Sequence, residues 1–178
     1  VGSNTSFRFG KNDVAFSMQT EYPWNGNVKM TIDTKKPATF NLNLRLPGWA
    51  KGEPVPGDLY KFSNTINSPI TIQVNGKDVA YTVENGYAVI KREWKKGDVI
   101  GYDISMPVNY IVAGKQIKYD DGRVAIQRGP VLYCVEGADN KEGVWDIIVP
   151  PSATFIPENM QVLTEPVIAL EGKVLAAV

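Results

Sequence analysis

Apolar and polar residues alternate with a period of two along most of this chain, the spacing of a strand with one buried face. Ile70, Ile72 and Val74 lead into Asn75-Gly76, and Val79, Tyr81 and Val83 follow it. Asn-Gly between two alternating runs is a strong hairpin signal, because the tight turn needs positive φ at both central residues. Asn85-Gly86 then precedes Tyr87, Val89 and Lys91, so the pattern predicts a three-stranded meander. Asn25-Gly26 repeats the device between residues 18–24 and Val28, Met30 and Ile32, with Pro23 placing the first of these strands at a sheet edge. Phe40, Leu42, Leu44 and Leu46 face one side and Asn41, Asn43 and Arg45 the other, until Pro47-Gly48 ends the run. After the polar turn Lys95-Lys96-Gly97-Asp98, the alternation resumes with Ile100, Tyr102 and Ile104 and stops at Met106-Pro107. No window of about 11 residues carries a helical apolar stripe free of Gly and Pro.

The fold class is therefore all-β, an antiparallel β-sandwich of jelly-roll-like character with an irregular C-terminal extension. Residues 1–140 read as the sandwich. Residues 122–134 read as two buried strands broken at Gly129-Pro130 and ending on Cys134. Residues 141–178 form a Pro-rich extension that either completes the sandwich or begins a following domain. Residues 139–143 are a polar loop and residues 145–149 a short apolar strand. Pro150, Pro151, Pro157 and Pro166 then lie too close together for a long regular element. Val162-Leu163 and residues 167–170 are short strands able to pair with a sheet.

Composition narrows the partners. The 178 residues are 43% hydrophobic and 21% charged, enough for one real core. Nineteen basic residues balance nineteen acidic ones, so no long-range field gathers nucleic acid or an anionic membrane. No apolar run of about 18 residues is present to span a bilayer, and the first residues lack the basic-then-apolar pattern of a secretory signal. Val1-Gly2-Ser3 reads as a cloning remnant or as a cut inside a longer protein. A single cysteine makes no intrachain disulfide and leaves the compartment open.

Catalytic chemistry has few carriers. The chain has no histidine, which excludes Ser-His-Asp and Cys-His pairs and imidazole metal sites. Cys134 alone cannot build a thiolate zinc cluster, and no glycine-rich phosphate loop opens a helix. Asp120, Asp121, Glu136 and Asp139 are the acids nearest to a glycosidase pair, which needs two carboxyls about 5 to 10 Å apart. Asp120-Asp121-Gly122 also fits an ordinary turn, and Glu136 and Asp139 fit solvated or capping positions. Trp24, Trp49, Trp94 and Trp145 either fill cores or offer ring faces to a sugar; burial is the expectation for most of them. No catalytic, cofactor-binding or metal-binding residue is assigned in this chain.

The order of several segments carries more information than any one of them. Tyr22-Pro23-Trp24-Asn25-Gly26, Leu44-Arg45-Leu46-Pro47-Gly48-Trp49-Ala50, Trp94-Lys95-Lys96-Gly97-Asp98, Met106-Pro107-Val108 and Gly122-Arg123-Val124-Ala125 with Arg128-Gly129-Pro130-Val131-Leu132-Tyr133-Cys134 resemble the β-domain that follows the barrel in glycoside hydrolase family 127. These are β-L-arabinofuranosidase-like enzymes, and the resemblance runs over about residues 14–140. It implies a catalytic (α/α)6 barrel elsewhere in a longer bacterial protein, with a cysteine nucleophile on a zinc site and a glutamate acid/base. None of those roles falls on a residue of this chain.

The resemblance thus implies a non-catalytic accessory domain, inactive alone, whose partner is the barrel and whose contact with arabinose-containing glycans runs through the parent protein. A free-standing carbohydrate-binding module and an oligomerisation domain are the alternatives. Trp24 and Trp49 are expected on loops that dock against the barrel. Arg45, Arg123 and Arg128 are expected to pair with carboxylates at strand edges. Val131, Leu132, Tyr133 and Val135 around Cys134 predict a desolvated core thiol. Location in the cell, cytoplasmic or beyond it, stays open.

Overall fold

A computed structural model describes residues 2–64, 68–140, 143–162 and 164–176. It is built of antiparallel strands joined by turns and three short 3-10 segments. The chain falls into two compact units, Val1–Gly52 with Ile66–Met106, and Glu53–Thr65 with Pro107–Val178.

The first unit holds β1 (Ser3–Phe9), β2 (Asn12–Thr20), β3 (Asn27–Thr34) and β4 (Ala38–Arg45). The chain then lends β5 (Tyr60–Phe62) to the other unit and returns with β6 (Ile70–Val74), β7 (Lys77–Asp78), β8 (Thr82–Glu84), β9 (Tyr87–Trp94) and β10 (Val99–Ile104). Six strands form one sheet in the order β1-β2-β3-β10-β6-β7, and three form a second in the order β4-β9-β8. The alternation fixes the faces. Val14, Ile32, Ile72, Val74, Ile100 and Ile104 are buried from the large sheet, and Phe40, Leu44, Ala88, Ile90 and Trp94 from the small one. Phe16 of β2 meets Phe40 of β4 edge-on, with ring centroids 6.2 Å apart. The sequence expectation of an all-β sandwich holds for this unit, and the predicted partition of residues 40–46 is the one observed.

Three local expectations are corrected. Asn75 and Asn85 have φ of 53° and 50°, and Gly76 and Gly86 follow at 74° and 79°, so both tight turns form. The strands around them are not one meander. β7 is only two residues long and pairs with β6, whereas β8 pairs with β9 in the opposite sheet. The chain changes sheets between Asp78 and Thr82, so the alternation of Val79, Tyr81 and Val83 spans a crossover rather than a strand. Asn25-Gly26 is not a two-residue turn either: neither residue has positive φ, and β2 joins β3 through residues 21–26. Gly26 is needed for another reason. A Cβ there would lie 1.9 Å from the carbonyl oxygen of Ile104, whose N–H donates to the Gly26 carbonyl at 3.2 Å.

The second unit contains β11 (Val108–Ala113), β12 (Ala125–Arg128), β13 (Val131–Tyr133), β14 (Ile147–Ile148), β15 (Phe155–Val162), β16 (Glu165–Gly172) and β17 (Leu175–Ala176). Its main sheet has the order β13-β12-β11-β5, so the strand lent from between β4 and β6 closes one edge. The division expected at residue 140 is not the one observed. Residues 107–140 share a unit with the extension, because the segment after Met106-Pro107 builds a sheet of its own. The extension is also more regular than its prolines suggested. β15 and β16 are eight residues each and pair along their whole length, with Pro157 and Pro166 inside them. A two-stranded ribbon gives each strand a free edge, where a missing N–H is tolerated. Val162 and residues 167–170 belong to this ribbon, and Leu163 lies outside the described residues.

Candidate functional site

The connection from β11 to β12 is a stack of tight turns that projects several charged side chains from the second unit. Gly114 ends β11 by donating to Leu59 at 2.7 Å, and Ile117 donates back to Gly114 at 2.9 Å. A 3-10 turn over Lys118–Asp120 follows, and the Arg123 N–H closes onto the Asp120 carbonyl at 3.1 Å, with Gly122 at φ 73°. These turns border an open cleft of about 810 Å³ whose lining includes Asp120, Asp121, Lys115, Lys118 and Arg123, with Val149 also on its wall.

Two of the lining groups are held in place. The Tyr60 hydroxyl on β5 donates to Asp120 Oδ2 at 3.0 Å, across sixty positions of sequence. That hydrogen bond, with the charge of Asp120 and some burial, pushes the Tyr60 hydroxyl above its ordinary value. The Arg123 guanidinium lies 5.4 Å from the centroid of the Trp145 ring, a cation–π distance. Trp145 is 82% exposed and Tyr119, beside Asp120, is 92% exposed.

The expected site residues are distributed as follows. Asp120 and Asp121 both reach the cleft; Glu136 is exposed and is not part of its lining, and the side chain of Asp139 lies outside those described. Trp94 is fully buried, with its indole N–H donating to the Phe40 carbonyl at 3.1 Å. Trp49 is buried in the 3-10 turn Gly48–Lys51, so it offers no ring for docking, and Trp24 is half-buried in the β2–β3 turn. Arg45 and Arg123 stack on the rings of Tyr87 and Trp145 instead of pairing with carboxylates; among the described residues the ion pairs are made by Lys35, Lys95 and Lys96.

Cys134 is exposed, which corrects the expected core thiol. The hydrogen-bonding of residues 125–133 is as predicted, but β13 is an edge strand and its Leu132 is 63% exposed. Apolar neighbours in sequence predicted a cover that the chain itself does not supply. Nor do the residues fit the zinc site that the family resemblance implied. The chain has no histidine and one cysteine, and among the described residues no three His, Cys, Asp or Glu side chains converge.

Comparison with known proteins decides the family. A model described as Beta-L-arabinofuranosidase, GH127 middle domain, matches residues 2–106, and one described as Glycoside hydrolase family 127 C-terminal domain matches residues 108–168. The chain belongs to glycoside hydrolase family 127. Its curated relatives include a non-reducing end beta-L-arabinofuranosidase of Bifidobacterium longum subsp. longum, 28% identical over 131 residues, which are 72% of this chain and 18% of that protein. Among solved structures, a GH127 beta-arabinofuranosidase superposes with a TM-score of 0.92 at 31% identity, covering 98% of this chain and 27% of that one. A GH127 beta-L-arabinofuranosidase from Geobacillus stearothermophilus T6 gives a TM-score of 0.82 at 30% identity, covering 97% and 25%.

This family 127 chain therefore spans about a quarter of each of those longer enzymes. The junction of the two family models, between residues 106 and 108, coincides with the break between the structural units at Met106 and Pro107. One segment departs from that junction: Glu53–Thr65 lies within the middle-domain match, yet its β5 completes the sheet of the C-terminal domain.

Proposed function

We propose that this chain is the accessory β-region of a β-L-arabinofuranosidase-like glycoside hydrolase, supporting a catalytic barrel carried elsewhere in the same longer protein. The observation that carries this reading is the pair of consecutive family models, middle and C-terminal, over a chain that spans 18% of its curated relative. The absence of histidine from the sequence supports it, since imidazole acid/base and metal chemistry must then come from other residues. On this reading the nucleophile, the zinc and its ligands belong to the rest of the protein, and arabinose-containing glycans are cleaved there. The exposed Leu132, Ile156 and Met160 of the second unit are then surface that the longer protein can cover.

Deletion of the matching region from the Bifidobacterium relative tests the supporting role. The shortened enzyme should be recovered largely insoluble, or should melt at a lower temperature than the intact protein. Full solubility, an unchanged melting temperature and unchanged turnover would contradict it.

A further inference from the structure

The cleft beside the β11–β12 connection has the parts of a sugar site. Glycan recognition combines planar hydrogen-bonding groups, which meet hydroxyls as donors and acceptors, with an aromatic face that takes the C–H side of the ring. All three are present. Asp120 offers an acceptor, and its carboxylate is held at Oδ2 by the Tyr60 hydroxyl, so Oδ1 keeps its lone pairs for a ligand. Arg123 offers donors on the same cleft and is steadied by the Trp145 ring at 5.4 Å. The guanidinium covers one face of that ring, and an exposure of 82% leaves the opposite face open.

Charge selects among ligands. Lys115, Lys118 and Arg123 share the cleft with Asp120 and Asp121. An anion would meet two carboxylates and a cation three positive groups, whereas a neutral polyhydroxylated ligand uses both kinds of partner. A volume of about 810 Å³ is within the range of small-molecule clefts. An aromatic at the mouth of a pocket lined by charged groups is also a poor design for an apolar ligand.

We propose that this cleft binds a neutral sugar unit of a glycan, with Asp120 and Arg123 hydrogen-bonding its hydroxyls and Trp145 stacking on its ring. The choice of arabinose as the sugar rests on the proposed membership of this chain in an arabinofuranosidase-like enzyme. Glycan contact would then be a property of this chain as well as of the barrel.

Isothermal titration of the 178-residue chain with arabino-oligosaccharides tests the site. Saturable heat in the millimolar range is expected, and Trp145→Ala and Asp120→Asn should each weaken binding about tenfold. Both positions are outside the buried core, and circular dichroism of each variant confirms that the sheet is retained. A flat trace for the wild-type chain overturns the proposal, as do variants that both bind with wild-type affinity. Equal heat with inorganic phosphate would reassign the cleft to anions and overturn it as well. Any of these failures leaves the supporting role untouched, because that role is read by deletion and not by ligand binding.

Discussion

Asp98 shows how much a turn residue can carry in a sheet protein. It is buried, and it accepts from the Lys95 N–H and the Asn75 side-chain amide, each at 2.9 Å. Burial by itself would raise its pKa; the Asn75 and Lys95 hydrogen bonds, with the charges of Arg92 and Lys95, outweigh it and hold the carboxyl below its ordinary value. A depressed carboxyl stabilises the folded state above its unfolded pKa, and that contribution is lost as pH falls through the folded value. Asp98→Ala should cost about 1–3 kcal/mol at neutral pH, read by urea denaturation, and should flatten the loss of stability on acidification. Asn75 completes the device, since its side-chain oxygen also accepts from Val99 at 2.9 Å. Asn75→Gly keeps the positive φ yet loses both side-chain bonds, so a destabilisation of about 1–2 kcal/mol is expected where turn geometry alone predicts none. Tyr102 acts at the opposite end of the scale. Burial, with smaller effects from Tyr22 and Tyr81, pushes its hydroxyl up to about 12, and it donates to the Arg45 carbonyl. Its contribution is whole below the unfolded value near 10 and lost as pH rises toward 12. Alkaline denaturation followed by circular dichroism should show a shallower fall over that interval in Tyr102→Phe.

At the scale of elements, alternation and turn chemistry made most strands legible. Residues 40–46, 70–74 and 100–104 face the way their pattern requires, because a period of two has only one register that buries the apolar set. The same period could not say which sheet a strand joins. Val79, Tyr81 and Val83 keep alternating while the chain crosses between sheets, so a single meander was predicted where two hairpins exist. Gly26 illustrates a second blind spot. Next to Asn it signals a turn, yet its small size serves a contact with Ile104, seventy-eight positions away. Gly26→Ala should therefore force the end of β10 off the β2–β3 turn, with a loss of stability well beyond the roughly 1 kcal/mol of an ordinary Gly-to-Ala change. Loss of amide protection at Ile104 in hydrogen exchange is the expected sign, and a variant with wild-type protection there would refute this role for Gly26.

For the whole molecule, the division into units depends on a pairing that no local pattern reveals. β5 leaves the middle-domain sequence to pair with β11, with Ser63 donating to Tyr110 at 2.8 Å. Replacing residues 53–65 by a short linker should strip amide protection from β11 while leaving β6 and β10 protected. Uniform loss across both units, or none, would contradict the assignment of that segment. The candidate cleft was only partly visible in sequence for the same reason: Tyr60, the Lys118–Asp120 turn, Arg123 and Trp145 were separate signals until β5 and β11 brought their elements together. Cys134 was misread because its cover was inferred from sequence neighbours on an edge strand. The central claim is that this family 127 region does not carry the chemistry of its relatives. Release of the aryl group from an aryl β-L-arabinofuranoside by the purified chain, with and without zinc, tests it most directly, using the Geobacillus stearothermophilus enzyme as the positive control. The account predicts no release above the blank in either condition; turnover that rises in proportion to the concentration of the chain would contradict it.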